Sequence, residues 1–346
     1  SHYGSPQDTE WAIDRSGHLW LTQARLITTL FPLPANAHED RFSVYFSFSV
    51  AQGVLQPITP MGLSALRLLA SDAARQLGIP VNDPLSGPPV YAEAGQRLFA
   101  DVTGVMRGRV GRFVMTQVLD VMESRSAAVL RHLSTDPRLS FTRHTPLLLL
   151  RRMFRLAARY GLPKRLLRSL TSPDEVCKEA RNLEAKLKTA LCLPHSATST
   201  QRLDLVERVL FHDVVPLIPA LLPSVAIALG LHKLAGSLLG SDASPQELTA
   251  VHRGLPNNVT TGMDLDLWDL AELIRQDPDS SRMFREFSPD ELAHRYRGHA
   301  LPAPAQNGLT AFLSRYGHRA VAEIDLGVAR WSDDPTHILG VLVNYL

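Results

Sequence analysis

The pattern of apolar and polar positions is strand-like over the first thirty residues. Two such segments, Gln7–Ala12 and Leu21–Arg25, flank the turn-forming residues Asp14–Gly17. Successive strand residues point to opposite faces, so polar side chains two positions apart share one side. The pattern predicts a β-hairpin with a two-residue turn at Ser16-Gly17.

Most of the remaining chain carries apolar residues at helical spacing. The exceptions are Phe42–Val50 and Leu98–Thr103, which are typical of strands, and Ala320–Leu326, which we expect to be extended. We therefore expect an α+β fold that is mainly α-helical with a few short strands. The predicted helices cover Gly62–Leu77, Arg112–Leu133, Leu147–Leu162, Pro173–Leu193, Gln201–His212, Asp264–Arg275, Pro289–Tyr296, Leu309–Tyr316 and Thr336–Leu346.

One apolar run, Val214–Leu231, contains no charged residue and is long enough to suggest a membrane span. Three prolines interrupt it, at positions 216, 219 and 223. Prolines break helices, so we expect a buried helix that lines an apolar cavity, and no membrane.

Prolines and charges also mark a domain boundary near residue 35. Phe31-Pro32-Leu33-Pro34 and the charged segment Ala35–Asp40 interrupt the strand pattern. We expect one domain over residues 1–35 and a largely helical domain over residues 36–346.

The composition is that of a globular protein. Hydrophobic residues make up 45% of 346 residues, and the net charge of +2 is too small to favour nucleic acid. The basic stretch from Arg151 to Arg168 has helical apolar spacing, which favours a helix with a solvated basic side over a phosphate or RNA site.

The two cysteines, Cys177 and Cys192, are typical of reduced thiols, so we expect a cytoplasmic protein.

The predicted hairpin gathers polar groups on one face. Its register places Glu10 opposite Gln23 and Asp8 opposite Arg25. Carboxylate and amide oxygens suit Mg²⁺ together with nucleotide phosphates, and a guanidinium suits a phosphate. The alternative is an ordinary amphipathic hairpin with solvated charges.

The same residues resemble a known family. Asp-x-Glu-Trp-Ala, Leu-x-Gln-Ala-Arg and Ile27–Leu30 resemble the end of the ATP-grasp domain in phosphoenolpyruvate synthase and pyruvate phosphate dikinase relatives. The resemblance implies that Glu10 and Gln23 are metal ligands and that Arg25 contacts the transferred phosphoryl group, with ATP and Mg²⁺ as cofactors. The chain departs from the family at Leu26, where a proline is usual.

Four further stretches carry a closer resemblance: Val44–Ser47 with Pro60–Ser64, Arg97–Thr103, Pro256–Thr261, and Arg315–Arg319 with Glu323–Leu326 and Arg330-Trp331. Together they resemble rifampin phosphotransferase-like proteins. The resemblance implies a rifamycin-type pocket in which Gln52 matches a family glutamine. Aliphatic and aromatic pocket walls could come from Pro60, Met61, Phe99 and Met106, although each could equally belong to the core.

A carboxylate pair completes the candidate residues. Glu323 and Asp325 lie two positions apart in the predicted extended segment, so both would face one side. They could orient a substrate hydroxyl, or they could form a structural ion pair with Arg319.

The resemblance implies an ATP-dependent phosphotransferase that splits ATP into AMP and phosphate. The family's phosphoryl carrier is a histidine on a separate domain, and Thr336-His337-Ile338 lacks its sequence setting. We therefore expect a fragment that binds a small-molecule substrate and is inactive without the missing ATP-grasp and phosphohistidine domains. Two alternatives remain: a relative that acts on pyruvate or another small molecule, and a non-catalytic helical binding module.

Overall fold

The computed structural model describes residues 7–26, 32–34, 37, 42–48, 54, 56–122, 124–139, 147–194, 196–242, 244–251 and 257–346. It is 63% helical with small antiparallel sheets, which confirms the expected α+β, mainly helical class. The chain forms two compact units. Unit 1 comprises residues 1–57 and 89–144, and unit 2 comprises residues 58–88 and 145–346. The domain boundary near residue 35 stays a prediction.

Unit 1 begins with the predicted hairpin. Strand β1 (Gln7–Ile13) pairs antiparallel with β2 (Leu19–Leu26). Glu10 lies opposite Gln23 and Asp8 lies opposite Arg25, so the expected cross-strand pairs are confirmed.

The loop that joins the two strands differs from the predicted two-residue turn. The backbone N–H of Asp14 donates to the carbonyl of His18 (3.0 Å), so three residues form the loop instead of two. Gly17 has a φ of +85°, as the last residue of such a loop requires. The longer loop shifts the pairing by one residue, and a β-bulge at Thr22 shifts it back.

A three-stranded antiparallel sheet follows, in the order β3 (Tyr45–Ser47), β5 (Arg97–Asp101), β4 (Tyr91–Ala94). Gly95 and Gln96 join β4 to β5 with positive φ angles of 52° and 56°, which is the two-residue turn that matches strand twist. The sequence prediction missed β4. Among the described residues of the predicted Phe42–Val50 strand, only β3 is extended in a ladder.

Three helices pack on one another in unit 1: α2 (Thr103–Met106), α3 (Arg109–Met122) and α4 (Ser124–Leu133). Arg112 donates to the carbonyls of Met106, Ser134 and Leu139, and so ties the chain segments around α3 together. The core of the unit contains Val44, Val102, Met106, Leu119, Ala127, Leu130 and Leu139.

The regular elements among the described residues of unit 2 are all helices. The helices predicted from apolar spacing are present, but the prediction missed α6, α10 and α12 and gave α14 only its second half. The helices are α1 (Pro60–Gln76), α5 (Leu147–Arg159), α6 (Leu162–Thr171), α7 (Pro173–Leu191), α8 (Ser199–Arg208), α9 (Leu217–Leu239), α10 (Pro245–Ala250), α11 (Val259–Gln276), α12 (Pro278–Glu286), α13 (Pro289–Arg297), α14 (Ala303–Tyr316) and α15 (Thr336–Tyr345).

The last five helices share one apolar core. Each of α11 to α15 contributes fully buried side chains to it, among them Ile274, Phe284, Leu292, Leu309 and Leu339. Side-chain caps start three of these helices: Asn258 caps α11, Asp277 caps α12, and a Ser288–Glu291 capping box starts α13.

Helix α9 corrects the prediction for Val214–Leu231. It runs through Pro223 as a continuous helix of 23 residues, and its most apolar window is only 6% buried, so the expectation of a buried helix is wrong. By length and composition alone it could span a membrane. Pro219 lies in its first turn, where no intrahelical N–H is lost, which explains why this proline does not interrupt the helix.

Candidate functional site

The polar face of the hairpin carries four of the predicted groups. Glu10 and Gln23 are cross-strand neighbours, and both are exposed. The Nε of Arg25 donates to a carboxylate oxygen of Asp8 (2.8 Å) in an exposed ion pair. Exposed pairs of this kind contribute at most about 1 kcal/mol, so a phosphate could draw Arg25 away from Asp8 at low cost.

Asp14 organises the hairpin loop. Its carboxylate accepts hydrogen bonds from the backbone N–H groups of Ser16 (2.9 Å) and His18 (3.0 Å), and from the Trp20 indole N–H (2.9 Å). The Trp20 bond, followed by those from Ser16 and His18, lowers the pKa of Asp14 to about 2. The carboxylate is therefore ionised throughout the neutral range and holds the loop that sets the strand register.

The donor set on this face fits a magnesium ion in part. Mg²⁺ prefers oxygen ligands and is usually held by one or two carboxylates together with substrate phosphates. Glu10 and Gln23 offer one carboxylate and one amide oxygen. The described residues contain no cluster of three or more His, Cys, Asp or Glu side chains that could hold a metal ion.

A second candidate region lies at the start of α1. Thr59 is its N-cap, and its hydroxyl oxygen accepts from the N–H of Gly62 (3.1 Å). Asp325, which is 2% exposed, accepts from the N–H (2.7 Å) and the hydroxyl (2.5 Å) of Thr59, across 266 residues. It also accepts from the N–H of Gly327 (2.9 Å).

Two glycines allow this close approach. A Cβ at Gly62 would overlap the Asp325 carboxylate, and a Cβ at Gly327 would overlap the Thr59 side chain. Neither glycine has a positive φ, so the requirement is for space and not for backbone freedom. The contact leaves Pro60 and Met61 exposed at the start of α1, with Met61 62% exposed.

A small cleft lies beside this contact. Arg319 makes a bidentate pair with Glu323 (Nε to Oε2 3.0 Å, Nη2 to Oε1 3.1 Å). Arg330 donates to the carbonyl oxygens of Glu323 (3.1 Å) and Asp325 (3.3 Å). The cleft is lined by Val259, Thr260, His318, Arg319, Glu323 and Arg330.

The predicted extended segment at Ala320–Leu326 is wrong. Residues 321–327 form consecutive turns, with a φ of +58° at Ala322. Glu323 and Asp325 therefore do not share a side: Glu323 pairs with Arg319 in the cleft, whereas Asp325 is buried against Thr59. The ion pair with Arg319, one of the two expected alternatives, is present.

The pKa values of both carboxyls are lowered, but for different reasons. Hydrogen bonds from Arg319 are the main reason why the pKa of Glu323 is lowered. Burial alone would raise the pKa of Asp325, but the hydrogen bonds from Thr59 and Gly327 outweigh it and hold the pKa below its ordinary value. Both groups are therefore ionised at neutral pH, and neither is suited to donate a proton there.

The remaining predicted residues lie elsewhere. Met106 has no exposed surface and belongs to the core of unit 1, and Phe99 on β5 is 6% exposed. Gln52 lies outside the described residues. The role of these residues in substrate binding stays a prediction.

Sequence reasoning missed Thr59, Gly62, Gly327 and Arg330 as parts of the second region. The signal that could have found Thr59 is its position directly before Pro60, because a threonine followed by proline at the first helical position is typical of a capped helix start. The sequence around Asp325, the long-range partner of Thr59, contains no comparable signal.

Comparison with known proteins gives consistent matches. Residues 218–346 match the family model described as the rifampicin phosphotransferase fourth domain. The chain is 23% identical, over 99% of its length, to the rifampicin phosphotransferase of Bacillus subtilis (strain 168). It is 28% identical, over 100% of its length, to that of a Streptomyces species.

A more local match is to the prodigiosin synthesizing transferase PigC of Serratia marcescens. It is 29% identical over 27% of this chain and 12% of that protein. The chain spans 37% of the length of each of the two rifampicin phosphotransferases. The family model and the two matches along this chain agree with the motifs at both ends of the chain, and the chain is similar to rifampicin phosphotransferases over its whole length.

Proposed function

We propose that this chain forms part of a cytoplasmic, ATP-dependent phosphotransferase that acts on a hydroxyl of a rifampicin-like compound. The observation that carries the proposal is the match to proteins named rifampicin phosphotransferase along 99–100% of the chain. In this proposal ATP is split into AMP and phosphate, and a histidine on a further domain carries the phosphoryl group to the acceptor.

The hairpin would serve the nucleotide. Glu10 and Gln23 would hold Mg²⁺ from neighbouring strands, and Arg25 would leave Asp8 to contact a phosphate. A bound Mg²⁺ neutralises charge on the phosphates, which is the main need of phosphoryl transfer. The rigid loop at Asp14 supports this arrangement, because a one-residue slip would place Glu10 and Gln23 on opposite faces.

The start of α1 would serve the substrate. Pro60 and Met61 offer exposed apolar surface there, and Asp325 fixes the backbone of the preceding residue. Glu323 is ionised and half exposed, so it can accept a hydrogen bond from a substrate hydroxyl if Arg319 yields one oxygen.

Calorimetry of the full chain with rifampicin and with pyruvate tests the substrate. We expect heat from rifampicin, and about tenfold weaker binding by Met61→Ala if Met61 is buried by the ligand. Leu85→Ala, which truncates another half-exposed apolar side chain, is the control and should bind as the parent does. Clear binding of pyruvate without any response to rifampicin would overturn the assignment.

A second candidate is a transferase that acts on another apolar small molecule. The local match to a prodigiosin synthesizing transferase favours it, because that match shows that related segments occur in enzymes named for other products. A chain that responds to neither rifampicin nor pyruvate but binds an apolar aromatic compound would favour this candidate.

A further inference from the structure

Helices α6, α7 and α9 of unit 2, with the end of α5, enclose a cleft of about 980 Å³. Ligand sites in proteins usually have volumes of about 300–1,000 Å³, so the cleft can accept a molecule of drug or lipid size. A hydrogen bond between the hydroxyls of Ser169 and Ser224 (3.2 Å) joins α6 to α9 beside it. Of the predicted site residues that the structure describes, none lines this cleft.

The walls of the cleft are apolar. Val176 and Leu183 come from α7, and Leu221 and Val225 come from α9. Leu221 and Val225 are 47% and 51% exposed, so each would lose water on contact with an apolar ligand. Burial of apolar surface contributes about 25 cal/mol per Å², which favours an apolar body in this position.

Cationic side chains surround these walls. Among the described residues, the cleft is lined by one carboxylate, Glu179, and by five basic side chains: Arg159, Lys164, Arg165, Arg168 and Lys186. The whole chain has a net charge of only +2, so this excess of positive charge is local. A cleft with one sign of charge and low-dielectric walls attracts the opposite charge.

The single carboxylate is already engaged. Glu179 accepts from Arg168 (2.5 Å), and Arg165 lies 4.0 Å away. Within the part of the chain that the structure describes, no carboxylate lies within ion-pair distance of Lys164 or Lys186. These two ammonium groups therefore remain available to a ligand.

From these observations we infer that the cleft binds an amphipathic organic anion. Its apolar body would lie against Leu183, Leu221 and Val225, and its acidic group would lie between Lys164 on α6 and Lys186 on α7. The inference concerns unit 2 alone. It requires neither ATP nor the hairpin, and it is independent of the proposed phosphotransferase substrate.

Two cysteines provide an internal test. Cys177 lines the cleft, whereas Cys192 lies beyond the end of α7, and both are exposed free thiols. The full chain is alkylated with iodoacetamide, and the rate at each cysteine is followed by mass spectrometry. Dodecanoate, kept below its micellar concentration, should slow alkylation of Cys177 at least threefold and leave Cys192 unchanged.

Charge and position are tested separately. Dodecyltrimethylammonium has the same apolar body with the opposite charge and should give no protection; equal protection by both ions would overturn the inference. Lys164→Glu combined with Lys186→Glu should abolish protection by dodecanoate. Lys188→Glu, a matched change on α7 outside the cleft, should retain it, and loss of protection in this control would also contradict the inference.

Two further ligands identify competing occupants. Protection of Cys177 by rifampicin with none by dodecanoate would assign the cleft to the phosphotransferase substrate and overturn the inference. Protection by phosphatidylglycerol vesicles with none by dodecanoate would identify a lipid surface as the partner and would overturn it as well.

Discussion

The buried carboxylate of Asp325 should be a sensitive position in unit 2. It accepts three hydrogen bonds, two from Thr59 and one from Gly327, and it is 2% exposed. Hydrogen bonds to charged groups contribute about 1.5–3 kcal/mol each and are not additive, so Asp325→Ala should lower the free energy of unfolding by about 3–4 kcal/mol.

Urea unfolding followed by circular dichroism at 222 nm measures this loss. With an m-value of about 3 kcal/mol/M, the midpoint should fall by about 1 M. Asp279→Asn removes an exposed carboxylate from an ion pair on α12 and is the control, with an expected change below about 1 kcal/mol. A loss below 1 kcal/mol for Asp325→Ala would refute the reasoning.

A double-mutant cycle separates the contact with Thr59 from general damage. Thr59→Ala alone removes a helix cap and should cost about 1 kcal/mol or more. Because both changes remove the hydrogen bond from the Thr59 hydroxyl to the Asp325 carboxylate, the double variant should be more stable than the sum of the single losses predicts, by about 0.5–3 kcal/mol. Strict additivity would show that the two side chains act independently.

The pH dependence has a defined sign. The pKa of Asp325 is lowered in the folded chain, below its ordinary value of 3.8. A carboxyl of this kind stabilises the fold above the unfolded-state pKa, and that stability is lost as the pH falls through the folded-state pKa. The parent and Asp325→Ala should therefore differ most near neutral pH and converge in acid.

Three further predictions follow from other contacts. Gly62→Ala should lower the free energy of unfolding by about 1–3 kcal/mol through overlap with the nearby carboxylate, whereas Gly230→Ala, in an open part of α9, should raise it by about 0.5–1 kcal/mol; equal effects in urea unfolding would contradict this. Ser288→Ala should cost about 1 kcal/mol by removing the cap of α13, and an unchanged midpoint would count against the cap. Carbon-13 NMR titration should find a pKa of about 2 for Asp14, and Trp20→Phe should raise it because the indole N–H makes the largest contribution; a titration near 4 in the parent would reject the loop geometry.

The sequence predicted the elements better than their environment. Helical spacing found most helices of unit 2, because an apolar stripe at that period needs only local information. The uncharged run of α9 predicted a buried helix, because uncharged apolar segments favour burial. Its actual burial depends on which helices pack around it, and this information is not local. The short strand β4 was missed because four residues carry too little pattern.

In the hairpin the predicted cross-strand pairs are correct although the predicted loop length is not. The expected loop was one residue too short, and the bulge at Thr22 was not expected. These two displacements cancel, so Glu10 still faces Gln23. The Asp325 contact could not be predicted at all, because nothing in the residues around position 325 indicates a partner near position 59.

The distance in sequence between Thr59 and Asp325 has a consequence for biosynthesis. At about 5–20 residues per second, ribosomes need roughly 13–50 s to add the 266 residues that separate them. During that interval the nascent α1 begins with exposed apolar side chains and a cap that lacks its anchor. Unit 2 is thus expected to complete its fold only after residue 325 has been synthesised, and chaperones that shield α1 would act in this window.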